Sequence, residues 1–551
     1  MRRAIVISLL GLLMATARAL PRQQPTGVIE GTVVRSDTGK PIQGVYVGLS
    51  GPSAQQSVTT ETGADGKFSF KSLNAGTYRV LATRSGFVRH EYAQRNLNGW
   101  GGPIVLSASQ TFKDAVLRMT PTGTVTGRIL DENGRPATGA PVQLLRVAYN
   151  IYGKTHQPSA HGVANNLGNF RIEGVVPGRY FVLAGTPAGS RWFSQPPWFN
   201  LVYFPSSSSI ERASMIDVMP DVETLVDMQV PQSGPSRRVK GRIVDSTGFG
   251  WPTNPEIILT DGTWDGTVTF SAERSINRTT STFDLQDVPT GNYTLHVTGN
   301  TVGTIRIDPL IAALEPAGIV PIQVIDTDLE DVVVTLTRGV TVNGRISVEG
   351  QPVSVIPNLQ EMRFGLGTVN GVPFHRAPQT TNMSSDGRFR ISGLREGAEY
   401  RANFIGPIPP GSGLYLKSIR FNGDDVLSKP LKFSGSAARE LEIILGTGGL
   451  GQIAGNVTDA QSGAVPGALV VALPMERGRI TDYRTTSTDQ NGRYTLGNLT
   501  PGDYQLFSWE SIQDDAFYDP DFMKEYEQHG KAVHVANSSS QAVDVRAIPA
   551  P

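Results

Sequence analysis

An internal repeat constrains the fold of this chain more than any other feature of its 551 residues. The repeated motif has five positions: an apolar residue, any residue, glycine, any residue, and Val or Ile. It occurs five times, first as Ile29-Glu30-Gly31-Thr32-Val33. The glycines of the five copies are 96, 114, 103 and 111 residues apart, and they are Gly31, Gly127, Gly241, Gly344 and Gly455. Because this period is the size of a small domain, the chain is expected to fold as five similar units.

A second pattern follows each copy of the first and stays in phase with it. It consists of a turn, a short strand with an aromatic residue, a glycine turn and a strand with tyrosine, as in Asp65-Gly66-Lys67-Phe68 followed by Gly76-Thr77-Tyr78. Asp-Gly and Asn-Gly dipeptides favour hairpin turns. We also expect a positive φ at the glycines before the tyrosine strands, which are Gly76, Gly178, Gly291 and Gly502. The third copy lacks the Asp-Gly turn, and the fourth has one extra residue before its tyrosine.

The local pattern is β throughout. Phe68 and Phe70 alternate with polar residues, as do Tyr78, Val80 and Ala82, which is the period of a half-buried strand. Gly (61) and Pro (37) make up about 18% of the chain, compared with roughly 12% in an ordinary protein, and this disfavours long helices. About seven short strands fit in each repeat, which predicts a small sandwich of two sheets. The predicted fold is therefore all-β, a tandem array of about five sandwiches.

The repeat also predicts the domain boundaries, at short joints rich in Gly, Pro and Thr. One short helix is expected in the last unit between Asp514 and Gly530, where Phe522 and Tyr526 are four residues apart and should dock on the sheet. We name the five predicted sandwiches units 1 to 5, and their ranges are 25–120, 121–232, 233–338, 339–447 and 448–551.

The run from Gly31 to Val80, with Gly39-Lys40-Pro41, Asp65-Gly66 and Gly76-Thr77-Tyr78, resembles the carboxypeptidase regulatory-like domain. The resemblance is clear in units 1, 2 and 5 and weaker in units 3 and 4. It implies a prealbumin-like (transthyretin-like, Ig-like) β-sandwich, grouped with the carbohydrate-binding-like folds. It also implies an accessory module of enzymes, transporters or surface arrays, because no catalytic residues accompany this domain family.

The first 19 residues have the pattern of a secretory signal peptide. Met1-Arg2-Arg3 is a basic start, Ala4 to Ala15 is mostly apolar, and Ala17-Arg18-Ala19 supplies a cleavage site. Export to the periplasm, cell envelope or extracellular space is therefore expected. No later segment is long and apolar enough to span a membrane. A formal net charge of zero argues against a nucleic-acid partner.

Motifs of known catalytic chemistry are missing from the sequence. There is no cysteine, and none of the seven histidines has the His-Glu-x-x-His spacing of zinc peptidases. No serine lies in the Gly-x-Ser-x-Gly motif that marks the nucleophile of α/β-hydrolases. The glycine-rich run Gly446 to Gly451 fits a dinucleotide-binding pattern, but the opening strand of unit 5 follows it instead of a helix. We therefore expect no cofactor, no metal and no enzymatic activity.

An aromatic insertion in unit 2 is the candidate ligand site. Its rings lie near prolines that stiffen the loop, and the candidate residues are Trp192, Trp198, Phe199 and Tyr203. Exposed rings of this kind can stack on sugar rings or on a partner's aromatic side chains. The alternative is that the same rings cover an edge of the sandwich, and the sequence leaves both interpretations open.

These features predict a secreted, non-catalytic binding or scaffold protein. Its partners would be polysaccharides or proteins of the envelope or cell surface, with carbohydrate binding or adhesion as its role. The alternative is an extracellular hydrolase, or an accessory subunit of one, with an unrecognised site.

Overall fold

The fold was analysed in a computed structural model of the chain. It describes residues 26–52, 57–151, 153–185, 200–207, 209–231, 237–248, 250–252, 255–260, 267–270, 275–288, 290–299, 316–368, 379–394, 399–405, 408, 412–433 and 440–550. The signal-peptide prediction at residues 1–19 lies outside these ranges. No helix among the described residues is long and apolar enough to cross a membrane.

Each unit forms two sheets, and the strands follow the repeat. The strands of unit 1 are β1 (Gly27–Arg35), β2 (Tyr46–Ser50), β3 (Ser57–Glu61), β4 (Lys67–Leu73), β5 (Gly76–Thr83), β6 (His90–Glu91), β7 (Ile104–Leu106) and β8 (Thr111–Met119). The strands of unit 2 are β9 (Gly123–Leu130), β10 (Pro141–Asn150), β11 (Gly153–Val163), β12 (Asn169–Val175), β13 (Gly178–Ala184), β14 (Val202–Tyr203), β15 (Met215–Val218), β16 (Glu223–Leu225) and β17 (Met228–Gln229).

Units 3 and 4 repeat this order. The strands of unit 3 are β18 (Arg237–Asp245), β19 (Pro255–Thr260), β20 (Thr267–Phe270), β21 (Ile276–Asn277), β22 (Thr282–Val288), β23 (Gly291–Gly299), β24 (Gly318–Val324) and β25 (Leu329–Leu336). The strands of unit 4 are β26 (Val340–Val348), β27 (Arg363–Thr368), β28 (Gln379–Asn382), β29 (Arg388–Leu394), β30 (Glu399–Ile405), β31 (Tyr415–Phe421), β32 (Asp424–Asp425), β33 (Leu431–Lys432) and β34 (Glu440–Gly446).

Unit 5 adds a short helix to the same plan. Its strands are β35 (Gly451–Thr458), β36 (Leu469–Pro474), β37 (Arg484–Ser487), β38 (Arg493–Leu499), β39 (Gly502–Trp509), β40 (Lys531–Val535), β41 (Ser540–Ala542) and β42 (Val545–Arg546), and its helix is α1 (Pro520–Met523). Single 3-10 turns occur at Ile210–Arg212, Val353–Val355, Leu359–Glu361, Ile480–Asp482, Ala516–Tyr518 and Glu527–His529.

The three central strands of the first sheet have the same topology in every unit. In unit 1 their order is β4-β1-β8, with the opening strand β1 antiparallel to the aromatic strand β4 and parallel to the closing strand β8. The second sheet contains β3-β2-β5 with β6 and β7. The other four units keep these central strands, with β21 added at an edge of the first sheet in unit 3 and β31 and β32 added to it in unit 4. No described sheet mixes strands of two units. The predicted all-β array of five prealbumin-like sandwiches is confirmed, whereas the boundary residues between units stay a prediction.

The two sequence patterns meet in space, and this explains why the opening strand needs glycine. Gly31 of β1 faces Phe68 of β4 and Ala115 of β8 in the sheet register. A Cβ atom on Gly31 would lie 2.6 Å from Phe68 Cζ and closer still to the carbonyl oxygen of Ala115, inside the approach that real Cβ atoms allow. The same conflict, with the aromatic ring and with the closing segment, occurs at Gly127, Gly241, Gly344 and Gly455.

The expected positive φ is confirmed at two of the four glycines. Gly178 and Gly502 have positive φ values of 154° and 153°, whereas Gly76 and Gly291 do not have a positive φ. The prediction is wrong at Gly76 because glycine serves a different purpose there. A Cβ on Gly76 would lie 2.5 Å from Pro52 Cγ, so the residue permits a close approach of two loops.

Five separate hydrophobic cores lie between the paired sheets, one in each unit. Unit 5 also has a second apolar cluster on the other face of its β36–β39 sheet, centred on the fully buried Trp509. The helix α1 covers this face, with Asp519 capping it by accepting a hydrogen bond from Asp521 N at 2.9 Å. Phe522 and Tyr526 pack on Trp509, with ring centroids 6.5 and 5.7 Å away, so the predicted docking of this helix is confirmed.

Candidate binding site

The structure describes only one of the four predicted aromatic site residues. Trp192, Trp198 and Phe199 lie outside the described residues. Tyr203 is half-buried in the edge strand β14, where its backbone pairs with Leu183 and exchanges hydrogen bonds with Ser207 at 2.7 and 2.8 Å. The next residue, Phe204, packs against the core of unit 2. The stacking site in this insertion therefore stays a prediction.

A second candidate site lies where unit 5 contacts unit 1, and two glycines make this contact possible. A Cβ on Gly102 of unit 1 would lie 2.7 Å from Thr488 O and 3.1 Å from Gly467 Cα, both in unit 5. A Cβ on Gly467 would in turn overlap the carbonyl group of Ala93. The two units therefore touch through their backbones, with no room for side chains at these positions.

Hydrogen bonds to backbone groups fix the register of this contact. The Gln490 side chain pairs with the edge strand β7, accepting from Val105 N at 2.9 Å and donating to Val105 O at 2.8 Å. Three further bonds cross the contact, from Arg95 Nε to Pro466 O at 2.9 Å, from Asn96 Nδ2 to Ile512 O at 2.8 Å and from Ser511 Oγ to Arg95 O at 3.4 Å. Because these hydrogen bonds join particular groups of the two units, they give the units a specific relative position.

Unit 5 also contacts unit 2 through its insertion. Gln513 Nε2 donates to Val147 O at 2.5 Å, and the ring of Tyr149 packs on Phe522 with centroids 6.3 Å apart. Tyr149 thereby joins the second apolar cluster of unit 5. The last unit of the sequence is thus in contact with the first and the second.

An open groove of about 290 Å³ lies at the contact between units 1 and 5, and we name it the junction groove. Unit 1 contributes Arg79, Arg95 and Trp100 to its lining, and unit 5 contributes Thr485, Glu510 and Asp514. The Trp100 side chain is large and apolar, yet the residue is 67% exposed. The Arg89 guanidinium lies over the ring, 5.0 Å from its centroid. The groove therefore combines an exposed aromatic ring with charged and hydroxyl groups.

The carboxyl group of Asp514 has an altered acidity in this groove. Its Oδ1 atom faces the backbone of Gly99, 2.9 Å from the position that a Cβ would take there. Desolvation and, to a smaller extent, the nearby Asp515 raise the pKa of Asp514 to about 6, although Arg146 of unit 2 partly opposes this shift. Near neutral pH the group is ionised and accepts hydrogen bonds.

The other groups whose pKa values are strongly shifted have structural roles. Burial raises the pKa of Tyr494, whose hydroxyl donates to Val543 O at 2.6 Å, and raises the pKa of Tyr483 to about 12. No three His, Asp or Glu side chains in the described ranges are grouped so that they could hold a metal ion.

His90 on β6 makes stability depend on pH. Burial lowers its pKa from the ordinary value of 6.5 to about 4, while Glu91 partly opposes this effect. The folded state therefore favours the neutral ring, and its contribution is complete above pH 6.5 and lost as the pH falls towards 4. We expect unit 1 to lose about 2–3 kcal/mol of unfolding free energy over this window from this residue.

Denaturant unfolding of the wild type and the His90→Gln variant at pH 7 and pH 4.5 measures this effect. The variant should lose less stability on acidification than the wild type does. A His90 pKa of 6 to 7 in a nuclear magnetic resonance titration, or equal acid sensitivity of the two proteins, would contradict the prediction.

Two segments of the chain, residues 28–111 and 452–509, match the model of the carboxypeptidase regulatory-like domain. These segments cover most of unit 1 and the first half of unit 5, and together they make up about a quarter of the chain. The family resemblance inferred from the sequence is thereby confirmed for both units. They are also the two units that form the junction groove. No curated protein matches the chain.

Solved structures similar to parts of the chain include two pilins and one protein of Bacillus anthracis. The minor pilin of Streptococcus agalactiae is 16% identical, with 39% of this chain and 98% of that chain covered and a TM-score of 0.22. A streptococcal ancillary pilin is 9% identical, with 57% of this chain and 99% of that chain covered and a TM-score of 0.20. The Bacillus anthracis TIE protein is 10% identical, covering 77% and 74% with a TM-score of 0.15.

The junction groove was not predictable from the sequence. The available signal was the run Gly99-Trp100-Gly101-Gly102 in unit 1, where a tryptophan stands among glycines that offer it no side chains for packing. The partner surface in unit 5 is more than 360 positions away in sequence, and its residues belong to ordinary turns and an edge strand. No local pattern connects the two.

Proposed function

We propose that this protein is a secreted, non-catalytic binding scaffold that holds a polysaccharide or a surface protein at the cell envelope. The observation that carries this proposal is the identity of the repeated residues. In all five units the repeated glycine and the repeated aromatic residue contact each other in the sandwich. The repeated residues therefore pack the cores of the sandwiches. Residues with this role specify a fold and not a reaction.

The contacts of unit 5 support a scaffold with a defined shape. It touches unit 1 through Gly467, unit 2 through Gln513 and unit 4 through Glu476, which accepts from Ser428 Oγ at 2.5 Å. A unit with several such contacts limits the movement of its neighbours, so ligand-binding surfaces on different units keep their spacing. Polyvalent binding to a polymer gains strength from fixed spacing.

The test uses the chain that begins at Leu20, where export is proposed to leave it after cleavage. We expect retention of this chain on a glycan array or on envelope preparations, and no turnover on a panel of glycosidase and peptidase substrates. N-terminal sequencing of the exported protein checks the cleavage site. Turnover of any substrate would overturn the non-catalytic role, and retention on neither surface would overturn the binding role.

The aromatic insertion of unit 2 is proposed as one polysaccharide contact, through Trp192, Trp198, Phe199 and Tyr203. On this proposal Trp198→Ala lowers glycan retention by about tenfold, the loss of one good stacking contact, and leaves the melting temperature unchanged. Phe204→Ala, which removes a ring that packs on the core, is the control that lowers the melting temperature. A loss of about 3–5 kcal/mol for Trp198→Ala would show instead that its ring is buried.

A further inference from the structure

Several polar side chains of the junction groove make no side-chain hydrogen bond to any residue that the structure describes. The carboxylates of Glu510 and Asp514 make no hydrogen bond or ion pair with any described residue. The hydroxyl groups of Thr485, Thr486 and Ser487 on the edge strand β37 make no side-chain hydrogen bond within the same ranges either. These groups are therefore free to bind a ligand that brings its own hydroxyl groups.

The aromatic component of the groove is Trp100. The glycines on both sides of it leave the ring without a side-chain neighbour in sequence, and 67% of the residue is exposed. Arg89 covers only part of this surface, since one guanidinium lies over one face of a ring. A large exposed aromatic side chain next to polar groups that converge on one space is typical of a binding site.

The charges of the groove indicate an uncharged ligand. Three guanidinium groups and three carboxylates lie in or beside the groove, so its formal charges cancel; they belong to Arg79, Arg89 and Arg95 and to Glu91, Glu510 and Asp514. Arg79 is already engaged, because it donates to Gly101 O at 3.0 Å and pairs with Glu91 at 3.3 Å. Arg95 uses its Nε atom to bind Pro466 O. The carboxylates would repel an anionic ligand, and the guanidinium groups would repel a cationic one.

From these observations we propose that the junction groove binds one uncharged pyranose residue of a polysaccharide. The apolar face of the sugar would lie on the Trp100 ring, and its hydroxyl groups would hydrogen-bond to Glu510, Asp514 and the hydroxyls of β37. The volume of about 290 Å³ is at the lower end of the range for ligand pockets, which suits a single sugar residue. This inference rests on the proposed function and names a site within it.

The site is composite, because neither unit 1 nor unit 5 contains it alone. Gly102 offers a way to separate the units without disturbing either fold. It lacks a positive φ, and the three atoms nearest to its added Cβ all belong to unit 5. A Gly102→Val side chain therefore conflicts with the partner unit and not with its own.

The experiment titrates the full exported chain with neutral oligosaccharides of glucose, mannose, galactose, xylose and N-acetylglucosamine, followed by tryptophan fluorescence and calorimetry. Trp100→Ala should weaken binding of the recognised sugar by about tenfold without a change in melting temperature. Tyr46→Ala removes an aromatic residue of the same unit that is 62% exposed and does not line the groove, and it should leave the affinity unchanged. Gly102→Val should abolish the Trp100-dependent binding and increase the radius of gyration in small-angle scattering.

Three results would overturn the inference. The first is that Trp100→Ala leaves sugar binding intact, and the second is that sugar binding survives separation of the units in Gly102→Val. The third is that the groove binds acidic polysaccharides, or an extended peptide along β37, in place of neutral sugars. The first two leave the proposed scaffold function standing, since the chain still binds its polymer. If no glycan binds but a surface protein retains the chain, the groove inference fails alone.

Discussion

Gly31→Ala should destabilise unit 1 by about 3 kcal/mol, the upper part of the range for an overpacked core. The new methyl group would overlap the carbonyl of Ala115 in the closing strand β8, and it would lie 2.6 Å from Phe68 Cζ in the aromatic strand β4. Both neighbours pair with β1 in the same sheet, so one strand must move away from the other two. Denaturant unfolding of the full chain, followed by amide exchange of β1 and β8, measures the effect.

Gly48→Ala is the matched control for this prediction. Gly48 also lies inside a strand of unit 1, but the nearest atom to its added Cβ is Leu81 O at 3.9 Å, an ordinary contact. Alanine there should change the stability by no more than about 0.5 kcal/mol. If both substitutions changed the stability equally, the close approach of Phe68 and Ala115 would not be the reason for glycine at position 31.

Trp509→Ala should cost unit 5 about 3–5 kcal/mol, as for other large buried aromatic side chains. Trp509 is fully buried between the sheet and the insertion, stacked on Phe507 at 5.4 Å and in edge contact with Tyr526 at 5.7 Å. Its removal leaves a cavity below α1, so the insertion between Asp514 and Gly530 should become sensitive to proteolysis. The contact of Tyr149 in unit 2 with Phe522 should weaken as well.

Two substitutions separate this effect from a general loss of aromatic surface. Trp509→Phe keeps most of the packing and should cost less than Trp509→Ala. Trp100→Ala removes a tryptophan that is 67% exposed and should leave stability nearly unchanged. A loss below about 1 kcal/mol for Trp509→Ala would mean that the insertion is not held by this residue.

The sandwich fold was predictable because its signals are local. Glycine in the opening strand, an aromatic residue in the next and a tyrosine beyond the following turn recur in phase, and alternation marks which residues face the core. The sequence could not show that Gly31 and Phe68 touch each other, nor that β1 and β8 run parallel, because both depend on strand pairing over long sequence distances. The wrong expectation at Gly76 has the same origin, since a close approach of Pro52 and not a turn angle requires glycine there.

The candidate sites divide in a similar way. The aromatic insertion was recognisable by its density of rings, and its role stays a prediction. The junction groove was not recognisable, because its two halves carry no shared pattern and are brought together only when units 1 and 5 dock.

The sequence by itself determined that this chain is all-β, that it is built of five related sandwiches and that a short helix interrupts the last of them. These properties follow from periodicity, turn chemistry and glycine placement within about 100 residues of chain. The tertiary structure alone decided which units touch. Docking of one finished sandwich on another depends on the shapes of two surfaces, and a few residues such as Gly102, Gly467 and Gln490 fit them together without leaving any periodic trace in the sequence.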